Sequence, residues 1–461
     1  MNLDRIVVPR RVISSVCLLL VTMVLASFWW RKGTDVPEIH NESLPMNFAL
    51  VDPKPGLNDW PCWRGTGGRN LGTCDHFPVD WSTHGHEGWQ ATVPGSGNAS
   101  PILWGQQLFV PSYEATSQRI VLNCLLRKTG RMLWQSELHR GSFLKNQEVL
   151  SVASSTPACD GQNVFTVTNV LGKLWLTAVD LNGKILWQNE AGPCRTMSRT
   201  LASPVLYKSL VIIAANQSGG ISYLAALHRQ TGALIWRIKR PAGESVGSPT
   251  LAMLGNRPQL ILAGTDSVSS YHPASGKELW KCETKAARVA ESVAFDDERV
   301  YVSGAQPNEL LTCIKADGSG NVTNTKVEWQ LRQIGGELTS PVYLNGFVYV
   351  LSDEGRLSCV QATSGKIEWS KSLKGRFSAS PLLTQNYLFC ANDAGVAYSI
   401  RLGTAKPQIT ENTLESGIVA SPICAGDSIF IRTKDRIHRI TTTAPEPAPF
   451  ADKSTTTKRR L

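Results

Sequence analysis

The side chains able to do chemistry in this 461-residue chain are chiefly eleven cysteines, eight histidines and thirty-seven acids, and their spacing argues against most of it. Thiol redox chemistry would call for adjacent cysteines or a Cys-x-x-Cys pair, and metal binding for His/Cys clusters at ligand spacing. The sequence holds neither, and of the histidines only His84 and His86 are close neighbours. Cys124 and Cys359 each lie six residues before a glycine, a slot occupied by Ala226 and Ser270 elsewhere. Cys159 and Cys424 share another slot, two residues after a proline, with Leu103, Tyr343 and Leu383. Slots that accept Cys, Ala, Ser or Leu are packing positions. No catalytic group, metal site or cofactor is expected. Cys62 and Cys74 are the exception, since an extracytoplasmic location would permit a disulfide between them. Two unpaired thiols are the other reading.

These slots belong to a repeat. Between Ser340 and Trp369 the sequence runs Ser-Pro, three short β-rich segments and a Gly-x-x-x-Trp close, with Asn345-Gly346 as a tight hairpin turn. Ser-Pro recurs at Ser100, Ser203, Ser248, Ser340, Ser380 and Ser421, with Thr156-Pro157 and Ser292-Val293 as near matches. A glycine precedes tryptophan by four residues at Trp134, Trp187, Trp236, Trp280 and Trp369, while Trp329 follows an insertion rich in Gly, Asn and Thr. Eight starts of about 40 residues, each with four short strands, predict an all-β, eight-bladed β-propeller. The last repeat lacks a fourth strand, and Trp89 stands twelve residues before Pro101 with no complete repeat ahead of it. Residues 89–93 are therefore expected to supply the outer strand of the last blade and close the ring. The repeat tryptophans, Trp89 included, are expected to pack between blades.

The Thr-Gly-x-x-x-Trp pattern, as in Thr231 to Trp236, resembles the tryptophan-docking repeat of the quinoprotein-like eight-bladed propellers. That family holds pyrroloquinoline-quinone dehydrogenases and also non-enzymatic envelope propellers. The segment Trp60-Pro61-Cys62-Trp63-Arg64-Gly65 is similar to the lead-in of membrane-linked bacterial members, many from planctomycetes. The resemblance spans residues 81–441 and implies the fold. It would imply a quinone and calcium only if the enzymes' adjacent-cysteine ring, acidic metal ligands and aspartate base were present, and no residues here match them.

In a propeller, the segment before each Ser-Pro and the loop after each second strand emerge on one face, around the channel. Arg199, Glu244, Arg288, Glu291, Glu337 and Arg376 interrupt the small-residue segments of that face. Together they are the candidate binding site, mixed charges in a wide funnel suited to a polar ligand or peptide. Solvated loop charges are the bland alternative. The preferred function is a non-catalytic scaffold for an envelope protein or glycan partner, and the alternative a quinone-dependent oxidoreductase.

The net charge of +10 is not a nucleic-acid signal, because the termini hold much of it. Residues 1–33 read as a cytoplasmic stub and transmembrane anchor. Within them residues 12–30 carry no charge, span about 28 Å as a helix, and end in Trp29-Trp30 before Arg31-Lys32. A cleaved signal peptide ending at Val24-Leu25-Ala26 is the rival. Arg5, Arg10 and Arg11 place the amino end inside and the propeller outside. Residues 34–80 read as spacer and strap, 81–441 as the propeller and 442–461 as a flexible basic tail.

Overall fold

The computed structural model describes residues 36–40, 54–74, 78–81, 87–141, 153–194, 201–217, 222–241, 247–264, 266–284, 292–304, 310–332, 334–337, 339–404 and 406–442. They form eight sheets, each built on an antiparallel meander of four strands as the repeat count predicts, with a short fifth strand added to two of them. Blade one covers 102–140, blade two 158–193, blade three 205–240, blade four 250–283, blade five 294–332, blade six 342–372 and blade seven 382–413. Blade eight combines residues 423–441 with an outer strand from before blade one. That strand, Glu87–Thr92, pairs Trp89 with Arg439 and Thr92 with Arg436. The Val93 amide adds a bond to the Asp435 carbonyl at 2.8 Å. The ring is thus closed by its two ends, and blade eight keeps no bare outer edge there.

The Ser-Pro starts have a shared task that spacing did not disclose. The Ser100 amide donates to Thr156 Oγ1 at 3.0 Å, Thr156 N to Ser203 Oγ at 3.0 Å and Ser203 N to Ser248 Oγ at 2.8 Å. Ser292 N reaches Ser340 Oγ at 3.1 Å, Ser380 N reaches Ser421 Oγ at 2.9 Å, and Ser100 Oγ returns to the Ser421 carbonyl at 2.8 Å. The hydroxyls of Thr156, Ser203, Ser248, Ser340 and Ser421 each satisfy a buried amide of the neighbouring blade, and that of Ser100 a carbonyl, so small polar side chains at the repeat starts link blades around the channel.

Tryptophan docking is also an inter-blade contact. A Cβ on Gly130 of blade one would lie 2.5 Å from the Trp89 ring, and Gly183, Gly232, Gly276 and Gly365 likewise leave no room beyond Trp134, Trp187, Trp236 and Trp329 of the preceding blade. The glycines sit at positive φ, 71° at Gly276. Across the strand pair, each tryptophan faces a small residue: Cys124 for Trp134, Ala226 for Trp236, Ser270 for Trp280 and Cys359 for Trp369. That is why the cysteines of this slot interchange with Ala and Ser. Blade seven has no fourth-strand tryptophan. Trp81, from the segment before the closing strand, packs on Phe389 at 5.7 Å between ring centroids and is buried.

Within residues 34–80, the described segments are fastened to the ring. Val36 is buried against blades two and three, and Ile39–His40 pairs with the outer strand of blade three through Arg237 and Trp236. The insertion of blade five likewise adds Gly320–Asn321, in parallel, to the outer strand of blade four. The Cys62–Cys74 bridge is not formed: neither residue is in a disulfide. Cys62 Sγ lies 3.3 Å from the Gly65 carbonyl, while Cys74 is engaged with Cys424 of blade eight. The strap circles the ring until its ends meet, Thr73 Oγ1 donating to the Leu57 carbonyl at 2.7 Å, but Cys74 is turned to Cys424 and not to Cys62.

Candidate functional site

The innermost strand of every blade turns one edge of unpaired backbone toward the channel. The strap meets these edges one after another. Trp60 exchanges two backbone hydrogen bonds of 2.9 Å with Leu103 of blade one, and the Pro61 carbonyl accepts from Cys159 N of blade two at 2.8 Å. Gly68 touches Thr250 of blade four. Trp63 Nε1 donates to Ser292 Oγ at 2.9 Å. The buried Arg64 guanidinium donates to the Val293 carbonyl of blade five at 2.8 Å and the Pro341 carbonyl of blade six at 2.6 Å. Asn70 pairs with Pro381 and Leu383 of blade seven, and Gly72 abuts Cys424 of blade eight. Asp59 Oδ1 accepts from Gly105 N at 2.7 Å, in the turn at the far end of the innermost strand from Ser100. The strap therefore plugs the channel on the face opposite the segments that lead into Ser-Pro. The Trp-Pro-x-Trp-Arg-Gly motif is a plug, with Gly65 at φ 69° letting the chain turn against the Trp60 ring.

On the other face the expected grouping of loops is present. The Glu337 carbonyl accepts from Asp353 N at 2.7 Å, and Asp353 Oδ1 accepts from Glu337 N at 3.0 Å. The Arg376 carbonyl accepts from Asp393 N at 2.8 Å, and the Asp393 carboxylate takes both Ser378 N and Ser378 Oγ. In blades six and seven the segment before the Ser-Pro is thus tied to the loop after the second strand of its own blade, and Phe377 N and Ile418 N add bonds to the Asp353 and Asn392 carbonyls of the preceding blade. Glu337 is half-buried and Arg376 exposed. Arg199, Glu244, Arg288 and Glu291 lie outside the described residues. Asp353 and Asp393 hold the loops in shape, and neither was singled out in the sequence.

One charged residue of this face escaped the sequence reading. Arg432 ends the second strand of blade eight, ten residues after Pro422, where the same register puts Leu351, Ala391 and Ala214 in other blades. It is 2% exposed and donates through Nη1 to the Ala99 carbonyl at 2.8 Å, bridging blade eight to blade one. Burial pushes its pKa down to about 9. An arginine in an otherwise apolar repeat slot was the available signal.

The residues do not suit quinone or thiol chemistry. Burial pushes the thiols of Cys62, Cys124 and Cys359 up to about 12 and that of Cys282 to about 11, far from the thiolate that a nucleophile or ligand requires. None of the described cysteines is in a disulfide, and no group of three His, Cys, Asp or Glu among the described residues could hold a metal ion. The strap side chains occupy the channel, and no catalytic step is derived through a cofactor.

A closed eight-bladed ring with docked tryptophans, a plugged channel and one loop-rich face defines a propeller of the quinoprotein-like class. Within it, the chain belongs to the family described as outer membrane protein assembly factor BamB, whose model matches residues 79–261 and 320–406. It is 21% identical over 373 residues to outer membrane protein assembly factor BamB of Yersinia pestis, covering 75% of this chain and 86% of that one. The protein of the same name from Moranella endobia (strain PCIT) is 22% identical over 357 residues, covering 74% and 85%. The quinohemoprotein alcohol dehydrogenase of Comamonas testosteroni superposes with a TM-score of 0.62 at 12% identity, covering 89% of this chain and 84% of that chain. That likeness speaks for the fold alone.

Proposed function

We propose that this protein is a membrane-anchored, extracytoplasmic scaffold that presents its loop face to a protein partner in the cell envelope and performs no catalysis. The observation that carries the reading is the family match, whose relatives are named as assembly factors for outer membrane proteins. Two features support it. The plug is bound to the opposite end of the channel and leaves the loop face to a partner, and the unbridged thiols and scattered acids among the described residues supply no constellation for oxidation. On this reading Glu337 and Arg376, together with Arg199, Glu244, Arg288 and Glu291, form the charged rim that meets the partner. Residues 12–30 are the anchor in the same proposal. They lie outside the described residues, among which no helix is long and apolar enough to cross a membrane.

The test is crosslinking in intact membranes followed by purification of the full chain. A discrete envelope protein should be captured, and reversing the rim charges with Glu337→Arg and Arg376→Glu should reduce its yield. Capture unchanged by both reversals would remove the loop face from the interface. Stoichiometric binding of pyrroloquinoline quinone and calcium by the purified protein, with dye-linked alcohol oxidation, would move it to the enzymes.

A further inference from the structure

Between blades eight and one, on the loop face, lies a cavity of about 220 Å³. Its walls are chiefly Gly97, Gly417, Val419 and Ala420, joined by the neutral polar residues Asn98, Ser416 and Thr433, with Arg432 at one side and exposed Lys434 at the mouth. Arg432 Nη1 is bound to the Ala99 carbonyl, but buried Nη2 has no hydrogen-bond partner and no carboxylate among the described residues pairs with the guanidinium. Nη2 lies beside Gly97, where a Cβ would approach it to 3.0 Å. The absence of a side chain at 97 is what keeps the space next to the guanidinium open. A buried cation with an unused donor is unfavourable unless an anion arrives to meet it. The repeat offers this slot to Leu, Ala or Ser in other blades, so the ring does not require an arginine here.

We propose that this cavity is a binding site for a compact carboxylate, with Arg432 Nη2 as its principal donor and Lys434 as an electrostatic guide at the rim. The walls select the class. They are mostly small and apolar; Asn98 and Ser416 add only neutral polar side chains and Thr433 Oγ1 is turned to the Arg436 carbonyl, so Arg432 and Lys434 are the cations of the lining, a single charge at depth that suits a carboxylate better than a phosphate dianion. A carboxylate on a short apolar stem matches one free guanidinium nitrogen and apolar walls. The volume is that of roughly seven waters at about 30 Å³ each, enough for a short-chain acid or the last residue of a polypeptide. At neutral pH the guanidinium remains charged, since its pKa is held near 9. The proposal rests on the reading of the loop face as the binding face and gives that face an anchoring point.

Calorimetry and thermal unfolding of the full chain, purified in detergent, test it with three probes. They are sodium butyrate, the peptide N-acetyl-Gly-Ala with a free carboxylate, and its carboxamide. The carboxylates should bind one to one and raise the melting temperature, and the carboxamide should do neither. Arg432→Met should weaken carboxylate binding by about tenfold or more, the loss of one charge-assisted contact, while raising the melting temperature without ligand. Lys434→Glu, at an exposed position that the fold does not depend on, should weaken it by about threefold at low salt and leave unliganded stability unchanged. Tighter binding of the peptide than of butyrate assigns the site to a polypeptide terminus, and equal or weaker binding to a free acid. No binding of either carboxylate at millimolar concentration, or binding unaffected by both substitutions, overturns the proposal. Either result leaves the membrane crosslinking experiment to stand by itself, because no envelope partner is used.

Discussion

A repeat tryptophan is worth as much as the pocket around it encloses. Trp236 is 2% exposed, wedged between Gly276 of the next blade and Ala226 across the strand pair. Trp134 occupies the same slot half-exposed, with its Nε1 donating to the Leu181 carbonyl at 2.9 Å. Trp236→Ala should cost roughly 3–5 kcal/mol, the range for large-to-small changes in a core, and Trp134→Ala measurably less. Equal costs in chemical denaturation would show that burial does not set the difference. His139 gives a prediction in pH. Its ring sits edge-on to Trp175 at 5.5 Å, and burial pushes its pKa from 6.5 to about 4. The folded pKa lies below the unfolded one, so protonation favours the unfolded chain. The contribution is complete above about pH 6.5 and is lost as pH falls toward 4. Melting temperatures across that window should fall less steeply for His139→Gln than for the parent protein.

At the level of elements, closure and plug come from the same stretch of chain. The strap fills the channel edges, Trp81 fills the missing tryptophan place of blade seven, and Glu87–Thr92 completes blade eight. A chain beginning at residue 94 loses all three and leaves an unpaired outer strand, Arg436–Thr441, on blade eight. It should aggregate or elute as oligomers. A chain beginning at residue 54 keeps all three and should be a monomer with a single cooperative transition. Size-exclusion chromatography with light scattering separates the outcomes, and a well-behaved monomer from residue 94 would show that closure is dispensable.

For the whole molecule, the open question of position is where the ring stands relative to the bilayer. With residues 12–30 as an uncleaved anchor, carbonate-washed membranes should retain the full-length chain, and mass spectrometry should find its amino-terminal peptide. A soluble product beginning near Ser27 would replace the anchor with a signal peptide. On the anchored reading the ring is tethered through residues of which 36–40 are fastened to the rim of blade three. That contact limits how freely the propeller turns on its tether.

The amino-acid sequence by itself determined the number of blades, the strand meander and the closure by both chain ends, because each rests on local order repeated in register. A glycine before a turn and a Ser-Pro at a strand start need only their neighbours to be recognised. The tertiary structure decided which partners those residues meet. Trp236 packs on the glycine of the following blade and not on the one in its own repeat, because the blades twist past one another around the axis. The seryl and threonyl hydroxyls serve amides 41 to 56 residues away, about one repeat length, which no local pattern specifies. The strap was visible only as a stretch without period, since it borrows its hydrogen bonds from the inner edges of five blades and packs against two more. Cys62 and Cys74 looked like a pair because they are close in sequence, yet the strap's path across the channel carries Cys74 to Cys424. Arg432 was hidden for the opposite reason: it ends an apolar strand like any surface charge, and only the packing of blade eight against blade one buries it without a counter-ion.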